Sequence, residues 1–136
     1  MSNFHLKIVT PSGVYREEEV ELLNIVTPLG QTGILANHMP LASPVEISRL
    51  EYVQGKDRYE FAIGGGFVYV EAGNKVTVIG NSIESKEEID LQRAEEAKMR
   101  AENRLKTKGV RQDLDIARAE IALKKAIIRI NVKNYY

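Results

Sequence analysis

The chain has 136 residues, and its 19 basic and 19 acidic side chains give it no formal net charge. This balance argues against a general nucleic-acid-binding protein, which carries an excess of positive charge. The lack of cysteine excludes disulfide bonds and thiolate metal sites. No apolar run approaches the roughly 20 residues that a membrane-spanning helix needs, so we expect no direct membrane insertion.

The composition changes near residue 84. All four prolines and nine of the ten glycines precede this point. Residues 1–83 carry 6 basic and 9 acidic side chains, whereas residues 84–136 carry 13 basic and 10 acidic ones. A change in both turn-forming residues and charge is typical of a domain boundary. We therefore predict an α+β protein with two domains, residues 1–84 and 85–136.

The first domain contains short runs of apolar side chains that are separated by turn residues. The runs that read as strands cover residues 4–9, 20–26, 58–63, 67–71 and 75–79. Short strands with turn signals about every ten residues predict an antiparallel β-sandwich. The three glycines at 64–66 lack the rest of a dinucleotide-binding motif, so we interpret them as a turn or bulge between two strand runs.

The second domain reads as an antiparallel two-helix hairpin. Ser85 and Glu88 form a capping-box pattern, which predicts a first helix from about residue 86 to residue 106. We predict a second helix from residues 112–113 to about residue 132. The small apolar side chains on the first helix are Ala94, Ala97, Ala101 and Leu105. One apolar row on the second helix is Leu114, Ala117, Ile121 and Ile128. Alanine-rich stripes let two helices approach closely, and the hairpin needs a further surface to dock on because it is short.

The sequence offers no recognisable catalytic set. It has two histidines, His5 and His38, and no cysteine. No serine lies in a nucleophile-elbow pattern, and no pair of histidines has metal-binding spacing. We therefore predict a protein that is not an enzyme and that requires no cofactor or metal.

Charged side chains recur along one stripe of each predicted helix. The first stripe contains Asp90, Arg93, Ala97, Arg100 and Arg104, and the second contains Arg118, Lys125 and Arg129. Converging guanidinium groups would favour a polyphosphate, because each one presents a planar fork to phosphate oxygens. The alternative is two solvated faces with ion pairs four residues apart. Spacing alone favours this alternative.

Four short motifs together resemble a known family. They are Val-Thr-Pro-Ser-Gly at 9–13, Gly-Ile-Leu at 33–35 with His-Met-Pro at 38–40, Gly-Gly-Phe-Val-Tyr-Val at 65–70, and Arg-Ala-Glu-Ile-Ala-Leu at 118–123. Their order and spacing resemble the epsilon subunit of bacterial F-type ATP synthases, which is called delta in mitochondria. The resemblance covers essentially the whole chain and implies an N-terminal β-sandwich followed by a helical hairpin.

The resemblance also implies a role in a rotary machine. The β domain would bind the gamma subunit and the c-ring, and the helical domain would be mobile. Extended helices would insert among the alpha and beta subunits and inhibit ATP hydrolysis, whereas folded helices would permit turnover. The subunit would be non-catalytic, would help couple proton or sodium flow to ATP synthesis, and would lie at the cytoplasmic face of the bacterial membrane, held there by the complex.

Some members of this family bind ATP through a motif of the form Ile/Leu-Asp-x-x-Arg-Ala, which residues 89–94 match. The resemblance implies these ATP-binding residues: Glu84, Ile89, Asp90, Arg93, Ala94, Arg100, Lys125 and Arg129. Lys125 stands where an arginine is usual, which removes a bidentate fork. Asp90 would contact a ribose hydroxyl or the adenine amine, or would orient Arg93.

The resemblance implies a contact loop for the c-ring or gamma subunit that includes Gln31 and His38. Gln31 stands where an acidic residue is frequent, and Ala36 and Asn37 replace a usual Pro-Gly pair. Two alternatives to an ATP-regulated rotor subunit remain open. One is a structural coupler whose helices bind no nucleotide, and the other is a nucleotide-binding module that works without a rotor.

Overall fold

A computed structural model of the chain describes residues 2–106 and 113–135. In these residues the order is eight strands followed by two helices. The strands are β1 Phe4–Thr10, β2 Gly13–Val20, β3 Leu22–Thr27, β4 Gly30–Leu35, β5 Leu41–Gln54, β6 Asp57–Glu71, β7 Lys75–Gly80 and β8 Ile83–Ser85. The helices are α1 Leu91–Lys106 and α2 Asp113–Tyr135. The predicted boundary between residues 84 and 85 falls inside β8 and stays a prediction.

The strands form a sheet that curls over onto itself. Their order is β2-β1-β7-β6-β5-β3-β4, and β8 also pairs with β6. Although β2 and β5 are not neighbours in this order, the Gln54 side chain donates to the Glu19 carbonyl at 2.9 Å, and the Glu21 amide donates to the Val53 carbonyl at 2.9 Å. The two halves of the sheet therefore enclose one core, as the predicted sandwich requires.

One strand pair departs from a fully antiparallel sandwich. Strands β1 and β7 pair in parallel, with His5 opposite Lys75 and Val9 opposite Ile79. Parallel neighbours need a long connection between them, and strands β2 to β6 supply it. The other pairings in the described sheet are antiparallel.

The glycines at 64–66 interrupt the alternation of a single long strand. Core-facing side chains on β6 are odd-numbered before the glycines and even-numbered after them, namely Phe61 and Ile63, then Val68 and Val70. Gly66 has a φ of 153°, and a Cβ built there would lie 1.8 Å from the carbonyl oxygen of the neighbouring strand β7. The glycines thus form the predicted irregularity, and β6 continues through it.

The first helix begins five residues later than the capping-box pattern predicts. Ser85 and Glu88 do exchange the two hydrogen bonds of the box, at 3.1 and 3.2 Å. However, Ser85 is also the last residue of β8, and the Lys86 amide donates to the Glu60 carbonyl of β6. The backbone is therefore still extended there, and the box closes a turn. The helix starts after Asp90, whose carboxylate accepts the Arg93 amide at 3.1 Å.

The hairpin is closed by small side chains and docks through α2. Ala94 and Ala101 are buried on α1, and Ala119 and Ala126 are buried on α2. The second helix runs to Tyr135, past the predicted end, and the predicted start at Gln112 lies outside the described residues. The residues Lys-Thr-Lys-Gly at 106–109, which predict the end of the first helix, also lie largely outside them. Val132 and Ile128 pack against Ala62 of β6 and Ile89.

Candidate functional site

A cleft of about 280 Å³ lies where α1, α2 and the end of β8 meet. Its lining contains most of the residues for which we predict ATP binding. The lining residues are Glu84, Glu88, Asp90, Arg93, Ala94, Ala97, Arg100 and Arg129. The two charged helical stripes therefore do converge, through Arg93 and Arg100 on one helix and Arg129 on the other.

Arg129 reaches across from α2 to the sheet. Its Nε lies 2.6 Å from Oε1 of Glu84, and both side chains are partly exposed. Glu84 is positioned by β8, where it lies opposite Ala62 of β6. The pair joins the helical hairpin to the β domain, which differs from the ion pairs within one helix that a solvated face would show.

Arg93 and Arg100 lie seven residues apart on α1. Seven residues make two helical turns, so the two side chains lie on the same face of the helix. Both are exposed at the residue level. Ala94 and Ala97 complete this wall of the cleft with small side chains, which leave room beside the guanidinium groups.

Asp90 caps the first helix. Its Oδ1 accepts the Arg93 amide at 3.1 Å, and its backbone carbonyl accepts the Ala94 amide at 3.0 Å. An N-cap carboxylate satisfies one of the four unpaired amides of a helix start. The cap fixes Asp90 in the lining of the cleft, next to the first turn of α1.

Glu88 also lines the cleft, although the resemblance does not single it out. The Tyr15 hydroxyl donates to its carboxylate, and the Ser85 amide donates to the same oxygen at 3.1 Å. The hydrogen bond from Tyr15 is the main reason why the pKa of the Glu88 carboxyl lies below its usual value. The capping-box pattern identifies Ser85 as its partner, but no sequence signal links Glu88 to Tyr15, 73 residues away.

Two predicted ATP-binding residues are not in the lining. Ile89 is buried and packs against Ala62 and Val132, so its role here is to hold the segment before α1 against the sheet. Lys125 lies over Gly64 of β6, as its Cε would be 3.2 Å from a Cβ atom built on that glycine. The structure therefore brings Arg129 into the cleft but not Lys125.

Gln31 and His38 lie at opposite ends of the edge strand β4. Gln31 is the second residue of the strand, whereas His38 follows its end and donates from Nδ1 to the Met39 carbonyl at 2.6 Å. Gln31 and His38, which we predict in one contact loop, therefore lie in two separate places. Each has a well-exposed apolar neighbour, Leu29 beside Gln31 and Met39 beside His38.

A larger cleft, of about 460 Å³, lies between Ile128 and the outer faces of β3, β4 and β5. Its two charged side chains pair with each other, since Glu51 lies against Arg49, and Glu51 also accepts a hydrogen bond from Asn24 at 3.0 Å. Cleft size alone therefore does not identify the site. The smaller cleft is the better candidate because three guanidinium groups line it.

The charges in the smaller cleft are arranged for a ligand that is only partly anionic. Three guanidinium groups and three carboxylates line it. Guanidinium groups bind phosphate oxygens through paired hydrogen bonds, and carboxylates accept hydrogen bonds from hydroxyl and amine groups. The volume lies near the lower end of the roughly 300–1,000 Å³ of small-molecule sites. Among the described residues, no cluster of histidine, aspartate and glutamate could hold a metal ion.

Comparison with protein families identifies the family to which the chain belongs. Residues 3–86 match the β-sandwich domain of the ATP synthase delta/epsilon chain, and residues 87–134 match the long α-helix domain of the same chain. The chain therefore belongs to the delta/epsilon chain family of ATP synthases.

Individual relatives match over nearly their whole length. An ATP synthase epsilon chain of Bacillus cytotoxicus is 42% identical over 134 residues, which cover 98% of both chains. One of Levilactobacillus brevis is 39% identical over 131 residues, covering 96% of this chain and 94% of the relative. One of Desulfitobacterium hafniense is 42% identical over 128 residues, covering 94% of each.

Solved structures with low sequence identity share the fold. A chain of the Euglena gracilis mitochondrial ATP synthase has a TM-score of 0.79 at 23% identity and covers 91% of this chain and 77% of that one. A chain of the Tetrahymena thermophila mitochondrial ATP synthase has a TM-score of 0.70 at 12% identity and covers 96% of both. Among the described residues, no helix is long and apolar enough to cross a membrane.

Proposed function

We propose that this chain is a non-catalytic subunit of the central stalk of an F-type ATP synthase, and that ATP bound in the cleft favours the folded state of its helical hairpin. ATP would act as a regulatory ligand and not as a required cofactor. The observation that carries the proposal is the convergence of Arg93, Arg100 and Arg129 beside Asp90 in one cleft.

The walls of the cleft come from separate parts of the chain. Glu84 belongs to β8, Arg93 and Arg100 to α1, and Arg129 to α2. Undocking of the helices would separate Arg129 from Glu84, so the complete set of side chains is present only in the folded hairpin. A ligand that needs the complete set binds the folded state and shifts the population towards it.

The size of this shift depends on the ATP concentration. Ligand binding to one of two states stabilises it by RT ln(1 + [ATP]/Kd), which is about 2.7 kcal/mol at a hundredfold excess of ATP. ATP present at about a hundred times the Kd would thus change the ratio of folded to extended hairpins by about a hundredfold. Such a site works as a sensor of ATP concentration.

The β domain offers surfaces for the other stalk components. Phe67, Tyr69 and Ile79 form an exposed apolar patch on the outer face of β6 and β7, with 50%, 40% and 42% of their surface accessible. Exposed neighbouring apolar side chains mark protein-binding surfaces. We assign this patch to the gamma subunit, and we assign the two ends of β4, with Gln31 and His38, to the c-ring.

Release of the hairpin would let α1 and α2 reach the alpha and beta subunits. In that extended state the helices would inhibit ATP hydrolysis, and in the folded state they would permit turnover. The subunit would contribute no reacting group and would lie at the cytoplasmic face of the bacterial membrane, held there by its partners. It would help couple proton or sodium flow to ATP synthesis.

Calorimetric titration of the chain with MgATP tests the nucleotide site. We expect saturable binding that Arg93→Ala or Arg100→Ala weakens at least about tenfold, because each removes a charge-assisted contact to phosphate. Arg104→Ala is the matched control, since Arg104 is exposed on α1 but does not line the cleft. Lack of binding at protein concentrations of about 0.1 mM would favour a structural coupler whose helices bind no nucleotide.

Capture by an isolated gamma subunit tests the rotor role separately. We expect Phe67→Ser to reduce capture strongly, because it removes an aromatic side chain from the centre of the apolar patch. Leu35→Ser is the matched control, as Leu35 is similarly exposed but lies on the edge strand β4. Equal loss with both variants would contradict the assignment of the patch.

A further inference from the structure

The segment between β8 and α1 is held to the β domain by backbone hydrogen bonds. The Lys86 amide donates to the Glu60 carbonyl of β6 at 2.9 Å. The Glu88 and Ile89 amides both donate to the Ser85 carbonyl, at 3.0 and 3.2 Å. These bonds continue the pairing of β8 with β6 for one further residue and then close a turn on the end of the strand.

Side chains hold the same segment. The Tyr15 hydroxyl accepts the Ser85 amide at 3.1 Å and donates to the Glu88 carboxylate. The Tyr15 ring itself is fixed in the β domain, since it packs edge-on against Phe61 with centroids 6.0 Å apart. Ile89 is buried against Ala62 of β6 as well as against α2. Tyr15 and Ile89 therefore hold both ends of the segment to the sheet.

The bonds around Asp90 are of a different kind. Asp90 is exposed, and its cap bonds go to the amides of Arg93 and Ala94, within α1. They can therefore move with the helix. The contacts that hold the hairpin against the β domain come from α2. Arg129 forms an ion pair with Glu84, and the Lys133 ammonium donates to the Lys86 carbonyl at 3.0 Å. Val132 packs against Ala62.

We propose that the hairpin pivots at Asp90, and that residues 85–89 stay on the β domain, clamped by Tyr15 through Glu88. This pivot lies six residues beyond the change in composition that predicts a boundary at 84. The inference rests on the proposed movement of the hairpin but not on ATP binding. It divides the cleft, because Glu84 and Glu88 stay with the sheet while the three arginines leave with the helices.

Amide hydrogen exchange of the full chain tests the pivot. Arg129→Glu places a second negative charge beside Glu84 and should release the hairpin. A stronger variant combines Arg129→Glu with Val132→Asp. Release is checked by a larger radius of gyration in solution scattering. We expect the amides of α2 to exchange at least about tenfold faster on release, while those of Lys86 and Glu88 stay within about threefold of the unmodified chain.

Tyr15→Phe in the released variant then tests the clamp. It keeps the ring and removes the hydroxyl, so we expect the Ser85 and Glu88 amides to exchange at least about tenfold faster. Tyr59→Phe is the matched control, because Tyr59 stacks on Tyr52 at 5.0 Å and makes none of the hydrogen bonds described for the segment.

Three results would overturn the proposal. Exchange of the 86–89 amides that rises together with that of the helices would place the pivot at residue 85. An unchanged rate after Tyr15→Phe would remove the clamp. A radius of gyration that neither release variant changes would show that the hairpin does not pivot at all. Failure of MgATP to bind would leave all three readouts intact, so it would count only against the proposed nucleotide site.

Discussion

Val132 is the side chain whose truncation most directly tests the docking of the helices. It is fully buried and packs against Ala62 of β6 and against Ile89 in the segment before α1. Val132→Ala removes two methyl groups, at about 0.8 kcal/mol of burial free energy for each. The space left behind adds to this cost, which gives a total of about 2 kcal/mol. Alanine also has the higher helix propensity, so α2 itself is not weakened.

This loss acts on the equilibrium between docked and undocked hairpins. A change of about 2 kcal/mol makes the undocked state about 30 times more populated relative to the docked state. The apparent Kd for MgATP rises as the inverse of the docked fraction. It therefore changes only if the docked fraction falls well below one, whereas the opening equilibrium changes in any case.

Exchange of the α2 amides reports this opening equilibrium. We expect these amides to exchange about 30 times faster in Val132→Ala. Ile121→Ala, on the same helix, is the control, because Ile121 is 46% exposed and should cause little change. An increase of less than about threefold in Val132→Ala, or an equal increase in the control, would refute the docking role that we derive for this contact.

Other predictions concern residues elsewhere in the chain. The hydrogen bond to Glu17 is the main reason why the pKa of His5 lies above its ordinary value. The stabilising contribution of protonated His5 is therefore present in acid and is lost as pH rises through the folded-state pKa. NMR titration should show a lower pKa of His5 in Glu17→Gln. Gly66→Ala should abolish or severely weaken folding in urea titrations, since its Cβ would overlap a carbonyl of β7, whereas Gly73→Ala meets no atom within 4 Å and should show only the strain of its φ of 87°, about 1 kcal/mol. Lys125→Ala should leave the Kd for MgATP within about threefold, because Lys125 does not line the cleft; a tenfold loss in calorimetry would contradict this placement.

The architecture could be predicted from sequence because it depends on local periodicity. The apolar runs at 58–63 and 67–71 predicted strands, and both runs lie within β6. The spacing of the charged stripe likewise predicted that Arg93 and Arg100 share one face of α1, but spacing alone favoured solvated faces, and only the resemblance implied a site that also includes Arg129. Spacing along a helix decides which side chains share a face, so the shared face of Arg93 and Arg100 needed no tertiary information, whereas the approach of Arg129 did.

What the sequence did not reveal depends on contacts between distant residues. The capping box at Ser85 formed as predicted, but pairing of β8 with β6 kept the backbone extended and delayed the helix to Leu91. Likewise, Ile121 belongs to a predicted apolar row yet is exposed, whereas Ile128 of the same row packs against the sheet. The link between Tyr15 and Glu88 has no local signal at all.

The ion pair between Arg129 and Glu84 has a consequence for selectivity among anions. An incoming anion must compete with a carboxylate that already lies 2.6 Å from the guanidinium. Inorganic phosphate would have to displace the Glu84 carboxylate from Arg129 with a single phosphate group. At the proposed ATP site, a chain of three phosphates would engage Arg93 and Arg100 as well, and these contacts would offset the broken pair. In the proposed site, the pairing of Arg129 with Glu84 would thus disfavour small, abundant anions relative to ATP.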